Sequence, residues 1–260
     1  MAPAASAAPL VRVALIGATG RMGQAVLRAA PHFPGLIVTA AIASPASLAL
    51  GRDAGALAGI GATNLIVTSD LPAALRAADV VIDFSNAAAT AANLTACRAA
   101  ARPLLIGTTG LDAALEPALA AAAREIAVLI APNTSLAVAL LAELVRAGAR
   151  ALPASFDIDV IELHHRGKQD APSGTALMLR GAIGEGRPQG AVGMASLRAG
   201  DLVGEHTVLF CGPGEQLSLT HRATDRGIFA RGAVTAALWL MAQPAGRYTM
   251  RDFIGYKTAV

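Results

Sequence analysis

Short apolar runs alternate with helical stretches through the first half of the chain. The runs that predict strands are almost continuously apolar, which is the pattern of parallel strands buried on both faces. Between them, apolar residues recur with helical spacing. Strands are predicted at 11–16, 36–43, 65–68, 79–84, 104–106 and 126–131, and helices at 21–30, 71–77, 87–101 and 113–124. This order is typical of a Rossmann-type doubly wound parallel sheet.

The pattern changes after residue 135. A helix predicted at 136–150 is followed by a partly alternating segment at 156–163, whose polar members include Asp157, Asp159 and Glu162. We therefore predict a second α+β domain with a mixed or antiparallel sheet. Its further strands are predicted at 195–198, 206–210 and 216–221, and its further helices at 175–183 and 232–241.

Composition narrows the class of protein. The 260 residues are 54% hydrophobic and 15% charged, which favours a compact, soluble enzyme. Pro and polar residues interrupt every long apolar stretch, and the N-terminus lacks a basic segment, so we expect neither a spanning helix nor a secretory signal. A net charge of only +3 with 3% aromatic residues gives no indication of nucleic-acid binding. Cys97 and Cys211 are expected to be reduced thiols of a cytoplasmic protein.

A glycine-rich turn follows the first predicted strand and precedes the first predicted helix. It has the spacing GxxGxxG, in which small residues let backbone approach a pyrophosphate at a helix N-terminus. The segment consists of Gly17, Ala18, Thr19, Gly20, Arg21, Met22 and Gly23. It predicts a nicotinamide dinucleotide site, although an ordinary glycine-rich turn between strand and helix is the alternative.

The second predicted strand ends at Ala43 and Ser44, where many NAD sites have an acid that binds the ribose. Because no carboxylate stands there to repel a 2′-phosphate, we expect NADPH, or use of both NADPH and NADH. Ser44 is a candidate hydrogen-bond donor to that phosphate. Later strand-end loops add candidate cofactor contacts at Phe84, Gly107, Thr108, Thr109, Ala131, Pro132, Asn133 and Thr134.

The densest polar segment lies at residues 162–175. His164 and His165 are adjacent there, Arg166 and Lys168 add positive charge, and a helix is predicted to begin around residues 173–175. Cations beside a helix N-terminus suit a small dicarboxylate, and histidine suits proton transfer at neutral pH. A metal pair is disfavoured, because adjacent residues on a strand point in opposite directions and no ligand spacing supports a site. A solvated loop without function is the other alternative.

Several motifs together resemble the dihydrodipicolinate reductase family, the 4-hydroxy-tetrahydrodipicolinate reductases of lysine and diaminopimelate biosynthesis. They are GATGRMG at 17–23, VVIDFS at 80–85, IGTTG at 106–110, HHRGKQDAPSGTA at 164–176 and RAGDLVGEHTVLF at 198–210. The resemblance covers nearly the whole chain. It implies an oxidoreductase that uses NAD(P)H to reduce the cyclic substrate, with loss of a hydroxyl as water.

The resemblance also implies roles for individual residues. His164 is expected to be the acid/base and Lys168 the second catalytic group. The two carboxylates are expected to be bound by His165, Lys168, Ser173, Gly174 and Thr175. A homotetramer is implied, as is a dinucleotide-binding domain at 1–135 and 245–260, with a substrate-binding and tetramerisation domain at 136–244.

This sequence departs from the common family pattern at three places. Ala43 and Ser44 stand where an acid is frequent, Gly167 replaces a frequent histidine, and Thr134 occupies a place where an aromatic is common. Two other functions stay open. One is a dehydrogenase of another amino or keto dicarboxylate on the same fold, and the other is a non-enzymatic protein that senses a dinucleotide.

Overall fold

The computed structural model describes residues 10–255, which fall into two compact units. Residues 10–134 and Phe229–Phe253 form the first unit, and Ser135–Ile228 form the second. The change at residue 135 lies where the sequence pattern changes. The chain returns to the first unit at Phe229 rather than at 245, and Thr134 Oγ1 donates a hydrogen bond of 2.6 Å to the carbonyl of Phe229. The separate functions of the two units stay predictions.

The first unit is built on a seven-stranded sheet whose neighbouring strands are all parallel. Its strands are β1 (Val11–Ile16), β2 (Leu36–Ile42), β3 (Val67–Thr68), β4 (Val80–Asp83), β5 (Leu104–Ile106), β6 (Ala127–Ile130) and β11 (Gly246–Thr249). The order β11-β6-β5-β4-β1-β2-β3 confirms the predicted doubly wound sheet, with its switch point between β1 and β4.

Helices connect these strands and cover the sheet. They are α1 (Arg21–Ala29), α2 (Ala54–Ala58), α3 (Leu71–Arg76), α4 (Ala87–Ala99), α5 (Glu116–Ala122) and α9 (Met250–Phe253). Side chains on one sheet face, such as Ile16, Val81 and Ile106, pack with Leu94 and Leu119 from α4 and α5. Burial of these continuous apolar strands stabilises the unit by about 25 cal/mol per Å² of apolar surface removed from water.

The second unit has a mixed four-stranded sheet, which confirms the predicted α+β architecture. Strand β7 (Asp157–His164) lies centrally, parallel to β8 (Val192–Arg198) and antiparallel to β9 (Gly204–Gly212), which pairs in turn with β10 (Glu215–Ala223). Helices α6 (Leu136–Ala151) and α7 (Gly174–Gly186) pack on one face of the sheet. There Leu141, Val145 and Leu179 meet Val160 and Phe210.

Some elements were not predicted because their sequences carry weak patterns. Helix α2 has only five residues, and Asp53 caps it by accepting a hydrogen bond from the Ala56 N–H. Strand β11 has the sequence GRYT, which is too short and too polar to indicate a strand. Helix α8 (Gly227–Met241) begins five residues before the predicted start at 232. Within residues 10–255, none of the helices has both the length and the apolarity to cross a membrane.

Gly23→Ala tests how closely α1 approaches the turn that precedes it. A Cβ at position 23 would lie 2.2 Å from Gly17 O and 2.6 Å from Ala18 Cα, both backbone atoms that cannot rotate away. We expect a loss of unfolding free energy of about 1–3 kcal/mol, measured by urea denaturation. Gly184→Ala is the control, because a Cβ there meets nothing within 4 Å and helix propensity favours alanine. Equal midpoints for the wild type and Gly23→Ala would contradict this close packing.

Candidate active site

The carboxyl ends of five neighbouring strands in the first unit are in register. Ile16 lies opposite Ile42 on one side and Asp83 on the other, Asp83 pairs with Ile106, and Ile106 pairs with Ile130. The loops that follow these strands therefore leave the sheet along a single edge. Ligands of doubly wound sheets bind at this edge, beside the switch point. The candidate cofactor residues are therefore brought to one place by the fold.

The turn after β1 depends on two glycines for its shape. Gly17 has a φ of +78°, and a Cβ there would lie 2.4 Å from the carbonyl oxygen of Phe84. Gly20 is the N-cap of α1 and offers no side-chain acceptor, so the first N–H groups of α1 are left for another partner. The first turn of α1 also lacks an acid. This arrangement fits a pyrophosphate, which needs close backbone approach and unopposed N–H groups.

The loop after β4 is fixed by hydrogen bonds to the buried carboxylate at the end of that strand. The buried Asp83 carboxylate accepts hydrogen bonds from Ser85 N at 2.8 Å and from Asn93 Nδ2 at 3.0 Å. The ring of Phe84 occupies the place that a side chain at position 107 would take, since a Cβ on Gly107 would lie 2.1 Å from Phe84 Cε1. A side chain at position 107 would therefore require the Phe84 ring to move.

The candidate cofactor residues differ in what they expose. The hydroxyls of Thr108 and Thr134 are used internally, on the carbonyls of Asp83 and Phe229, so these two residues offer mainly backbone atoms to a ligand. Ser44 is exposed and its Oγ accepts a hydrogen bond of 3.3 Å from Ala46 N. The same strand-end edge carries Ala18, Thr19, Arg21, Met22, Thr109, Ala131, Pro132 and Asn133.

In the second unit, β7 ends in a buried cluster of an acid, a base and a cation, here called the His164 group; its members are Glu162, His164, Arg198, His206 and Gly204. Glu162 and His164 point to the same face of β7, and His164 Nδ1 forms a hydrogen bond with Glu162 Oε2. Arg198 on β8 donates from Nη2 to Glu162 Oε1 at 2.7 Å. Glu162 is only 1% exposed and His164 only 8%. The strand therefore buries a charged carboxylate on its core face, and both carboxylate oxygens are engaged.

The loop after β7 and the start of α7 surround this group. Lys168 Nζ forms an ion pair with Asp170 at 2.7 Å. Ser173 is the N-cap of α7, where its Oγ accepts from Ala176 N at 3.1 Å and shares a hydrogen bond of 2.9 Å with His206 Nε2. A Cβ added to Gly174 meets nothing within 4 Å, so there is open space at the helix N-terminus.

Burial and charge set the protonation of these groups. Burial opposes ionisation of Glu162, but hydrogen bonds from Arg198 and His164, among others, outweigh it and lower the pKa of Glu162 to about 2. Burial lowers the pKa of His164 and outweighs the opposing effect of Glu162. Burial, together with the charge of His164, lowers the pKa of His206 to about 4. Near neutral pH the group therefore has an ionised Glu162 and a neutral His206.

Glu162, His164 and His206 also satisfy the spacing of a metal site, since one donor atom from each lies within 4.8 Å of the others. Both Glu162 oxygens are, however, already bound, by Arg198 and His164, and one ring nitrogen of each histidine is engaged, His164 Nδ1 by Glu162 and His206 Nε2 by Ser173. Arg198 also places a positive charge against the carboxylate. The arrangement favours a hydrogen-bonded acid/base group, and the expectation of no metal stays a prediction.

The structure separates some of the predicted substrate residues. His164 is buried beside Glu162, whereas His165 lines an open pocket of about 490 Å³ in the same unit, with Arg166, Asp201 and Arg226. Sequence reasoning missed Arg198, His206 and Gly204 as members of the His164 group. Glu162 did carry a signal, because it occupies the apolar phase of β7 together with Ile158 and Val160.

Comparisons with known proteins match both units. Residues 11–134 match the model for the N-terminus of dihydrodipicolinate reductase, and residues 137–254 match the model for its C-terminus. The 4-hydroxy-tetrahydrodipicolinate reductase of Alkalilimnicola ehrlichii is 47% identical over 264 residues, covering 94% of this chain and 98% of the relative. That of Anaeromyxobacter dehalogenans is 43% identical, covering 95% and 99%.

A solved structure shares the fold over almost the full length. Dipicolinate-bound dihydrodipicolinate reductase from Paenisporosarcina sp. TG-14 superposes with a TM-score of 0.78 at 23% identity, covering 92% of this chain and 97% of that one. More distant likeness reaches an amine dehydrogenase from Mycobacterium smegmatis, with a TM-score of 0.59 at 14% identity. The resemblance seen in the sequence motifs is confirmed, and the chain belongs to the dihydrodipicolinate reductase family.

Proposed function

We propose that the chain reduces (S)-4-hydroxy-2,3,4,5-tetrahydrodipicolinate to tetrahydrodipicolinate in lysine and diaminopimelate biosynthesis, consuming NAD(P)H and a proton and releasing water. The observation that carries this proposal is the His164 group, in which a buried histidine stands beside Lys168 and the N-terminus of α7. Membership of the family over the full chain supports it. A cytoplasmic location is part of the proposal.

The first unit would hold the dinucleotide along the edge described above. Gly17 to Met22 would bind the pyrophosphate through backbone N–H groups, and the loops at 107–109 and 131–134 would line the nicotinamide side. When bound, the nicotinamide supplies the hydride. Ser44 is exposed, with no acid beside it, so we propose that the site accepts the 2′-phosphate of NADPH.

The second unit would bind the dicarboxylate. Open space at Gly174 lets one carboxylate approach the first N–H groups of α7, where the helix dipole favours an anion. Ser173 Oγ is buried and holds two hydrogen bonds, so we assign carboxylate binding mainly to the backbone of Gly174 and Thr175. Lys168 would exchange its partner Asp170 for substrate, and His165 would bind the other carboxylate.

His164 would deliver the proton that accompanies hydride transfer. Its pKa, lowered by burial, means that the rate falls as rising pH deprotonates the ring, and the fall begins below the range of an exposed histidine. Lys168 would orient the substrate and support this transfer. The two alternative functions make different demands on these residues. Another dehydrogenase would bind a dicarboxylate substrate with a different carbon skeleton at the N-terminus of α7. A dinucleotide sensor would not need His164.

His164→Gln tests the acid/base role. We expect kcat to fall by about 10²–10⁴ while the dissociation constant of NADPH is unchanged, because the substitution removes the proton donor and leaves the first unit intact. The assay follows NAD(P)H oxidation with freshly prepared (S)-4-hydroxy-2,3,4,5-tetrahydrodipicolinate as substrate. His32→Gln is the matched control, since His32 is exposed and lies in the first unit. A wild-type rate for His164→Gln would refute the role.

The same assay separates the alternative functions. Turnover with oxaloacetate and ammonia, and none with (S)-4-hydroxy-2,3,4,5-tetrahydrodipicolinate, would indicate another dicarboxylate dehydrogenase. Dinucleotide binding without turnover of either substrate would indicate a sensor.

Ser44→Asp tests nucleotide preference. A carboxylate at this exposed position would repel the 2′-phosphate, so the KM for NADPH should rise by about tenfold or more while that for NADH changes little. Michaelis constants for both nucleotides, measured on wild type and variant, give the comparison. A wild-type enzyme with a strong preference for NADH would contradict the NADPH site.

We also propose a homotetramer that assembles through the outer face of the second sheet. Strand alternation places Ile161, Leu163, Leu197 and Leu209 on the face opposite α6 and α7. Leu197 is 54% exposed, so this face presents apolar surface of the kind that marks interfaces.

Leu197→Asp should reduce the assembly to smaller species in native mass spectrometry, because a charge in an apolar interface is costly. Leu48→Asp is the control, since Leu48 is 98% exposed in the first unit and its substitution should leave the mass unchanged. An unchanged tetramer in Leu197→Asp would rule out this face.

A further inference from the structure

We infer that Glu162 is a positioning residue: held by Arg198, it fixes the His164 ring with a proton on Nδ1, so that Nε2 is the atom that exchanges a proton with substrate. The inference rests on the proposed function, in which His164 is the acid/base. It adds the atom that acts and the residue that selects this atom.

The protonation of Nδ1 follows from its partner. An ionised carboxylate only accepts hydrogen bonds, so the hydrogen bond between Glu162 Oε2 and His164 Nδ1 requires the hydrogen on the ring nitrogen. In neutral histidine only one ring nitrogen carries a hydrogen. Nε2 is therefore the unprotonated nitrogen of the neutral ring and the donor of the protonated ring.

Glu162 is prevented from turning away. Arg198 Nη2 holds Oε1 at 2.7 Å, and Arg198 itself donates to the carbonyls of Leu197 at 2.7 Å and Asp170 at 2.6 Å. Because Glu162 is 1% exposed, water does not offer an alternative partner. The carboxylate thus has one orientation, and this orientation is transmitted to the His164 ring.

The Nε2 side of the ring is kept clear by Gly204 on β9. A Cβ at this position would lie 2.9 Å from His164 Nε2. Gly204 is not among the glycines with positive φ, so its backbone conformation does not demand glycine. The missing side chain leaves space next to the nitrogen that we assign to proton exchange.

The other groups near the ring agree with this assignment. His206 packs edge-on against His164 with ring centroids 5.0 Å apart. Its low pKa keeps His206 neutral, so only His164 of this pair needs to carry a positive charge when it donates a proton. The titratable and charged groups that interact with His164 are Glu162 on β7, Arg198 on β8, His206 on β9 and Lys168 in the loop before α7; beyond them, His221 on β10 acts on His206, and Asp170 pairs with Lys168.

The proton balance is simple. Protonated His164 gives the Nε2 proton to the substrate, the ring becomes neutral, and Nδ1–H stays bonded to Glu162. A solvent proton then restores Nε2–H. Without Glu162 the neutral ring is free to carry its hydrogen on Nε2, a form that lacks an acceptor at the exchanging atom, and the charged ring loses its counter-ion.

The first test determines the protonated nitrogen in the wild-type chain itself, and a variant serves only to assign the signals. The chain has five histidines, and ¹⁵N-histidine spectra of wild type and His164→Gln identify the His164 signals by difference. At pH values above those at which the His164 ring titrates, we expect the neutral ring to carry its hydrogen on Nδ1. A wild-type His164 with its hydrogen on Nε2 would overturn the inference.

The second test compares Glu162→Gln with Glu143→Gln. Glu143 is also buried, at 2% exposure, and also paired with an arginine, Arg146, in α6. We expect Glu162→Gln to lower kcat at least about tenfold, within the limit set by His164→Gln, with the KM for NADPH unchanged. Its rate should fall at lower pH than that of wild type, because loss of the carboxylate lowers the pKa of His164. Glu143→Gln should keep the wild-type pH profile.

The outcomes distinguish this inference from the proposed function. If His164→Gln is inactive but Glu162→Gln keeps the wild-type kcat, pH profile and ring spectrum, then Glu162 has no positioning role and the proposed function stands. If His164→Gln has the wild-type rate, the proposed function fails first. A similar pH shift in Glu143→Gln would show a general effect of losing a buried carboxylate, and would also overturn the inference.

Discussion

The burial of the Glu162 charge on the core face of β7 is the constraint around which the second unit is arranged. An ionised carboxylate removed from water is strongly unfavourable unless every oxygen has a partner. Here the partners are Arg198 from β8 and His164 from β7 itself. The sheet register supplies both, because Arg198 lies directly opposite His164 on the parallel neighbour strand. Removing either partner leaves one carboxylate oxygen without its charged or ring N–H donor.

The first unit brings its candidate binding groups together through backbone rather than through buried charges. Its parallel strands end together, so backbone from several loops converges, and few charged side chains are buried among the residues that the structure describes. Asp83 is one of them, and its carboxylate is satisfied by the Ser85 backbone and by Asn93. In the proposed function, anion binding at this edge would therefore depend on N–H groups and glycines, whereas chemistry in the second unit would depend on side chains. Glycine would serve the proposed dinucleotide site by letting the ligand approach the backbone, and the compensated Glu162–Arg198 ion pair would serve the proposed proton transfer.

Much of this organisation could be predicted from local sequence. Continuous apolar strands indicated the parallel sheet, and the change of pattern near residue 135 indicated the second unit, because both signals come from burial along a single element. Strand β11 could not be predicted, since the four residues GRYT form a strand only by pairing with β6. His164 was identified through a motif. Arg198 and His206 were missed because they join His164 only through strand pairing, which no local pattern encodes.

Arg198 contacts both the Glu162 carboxylate and the loop that carries Lys168. Its Nη2 reaches both the carboxylate beside the acid/base and the carbonyl of Asp170, which lies in the loop that carries Lys168. Order in that loop and the charge state of the histidine are therefore thermodynamically linked through one guanidinium. Whatever stabilises the loop also strengthens the counter-ion arrangement of the ring, and by reciprocity a protonated ring favours an ordered loop. With the roles proposed for Lys168 and His164, substrate capture and proton donation would form one equilibrium.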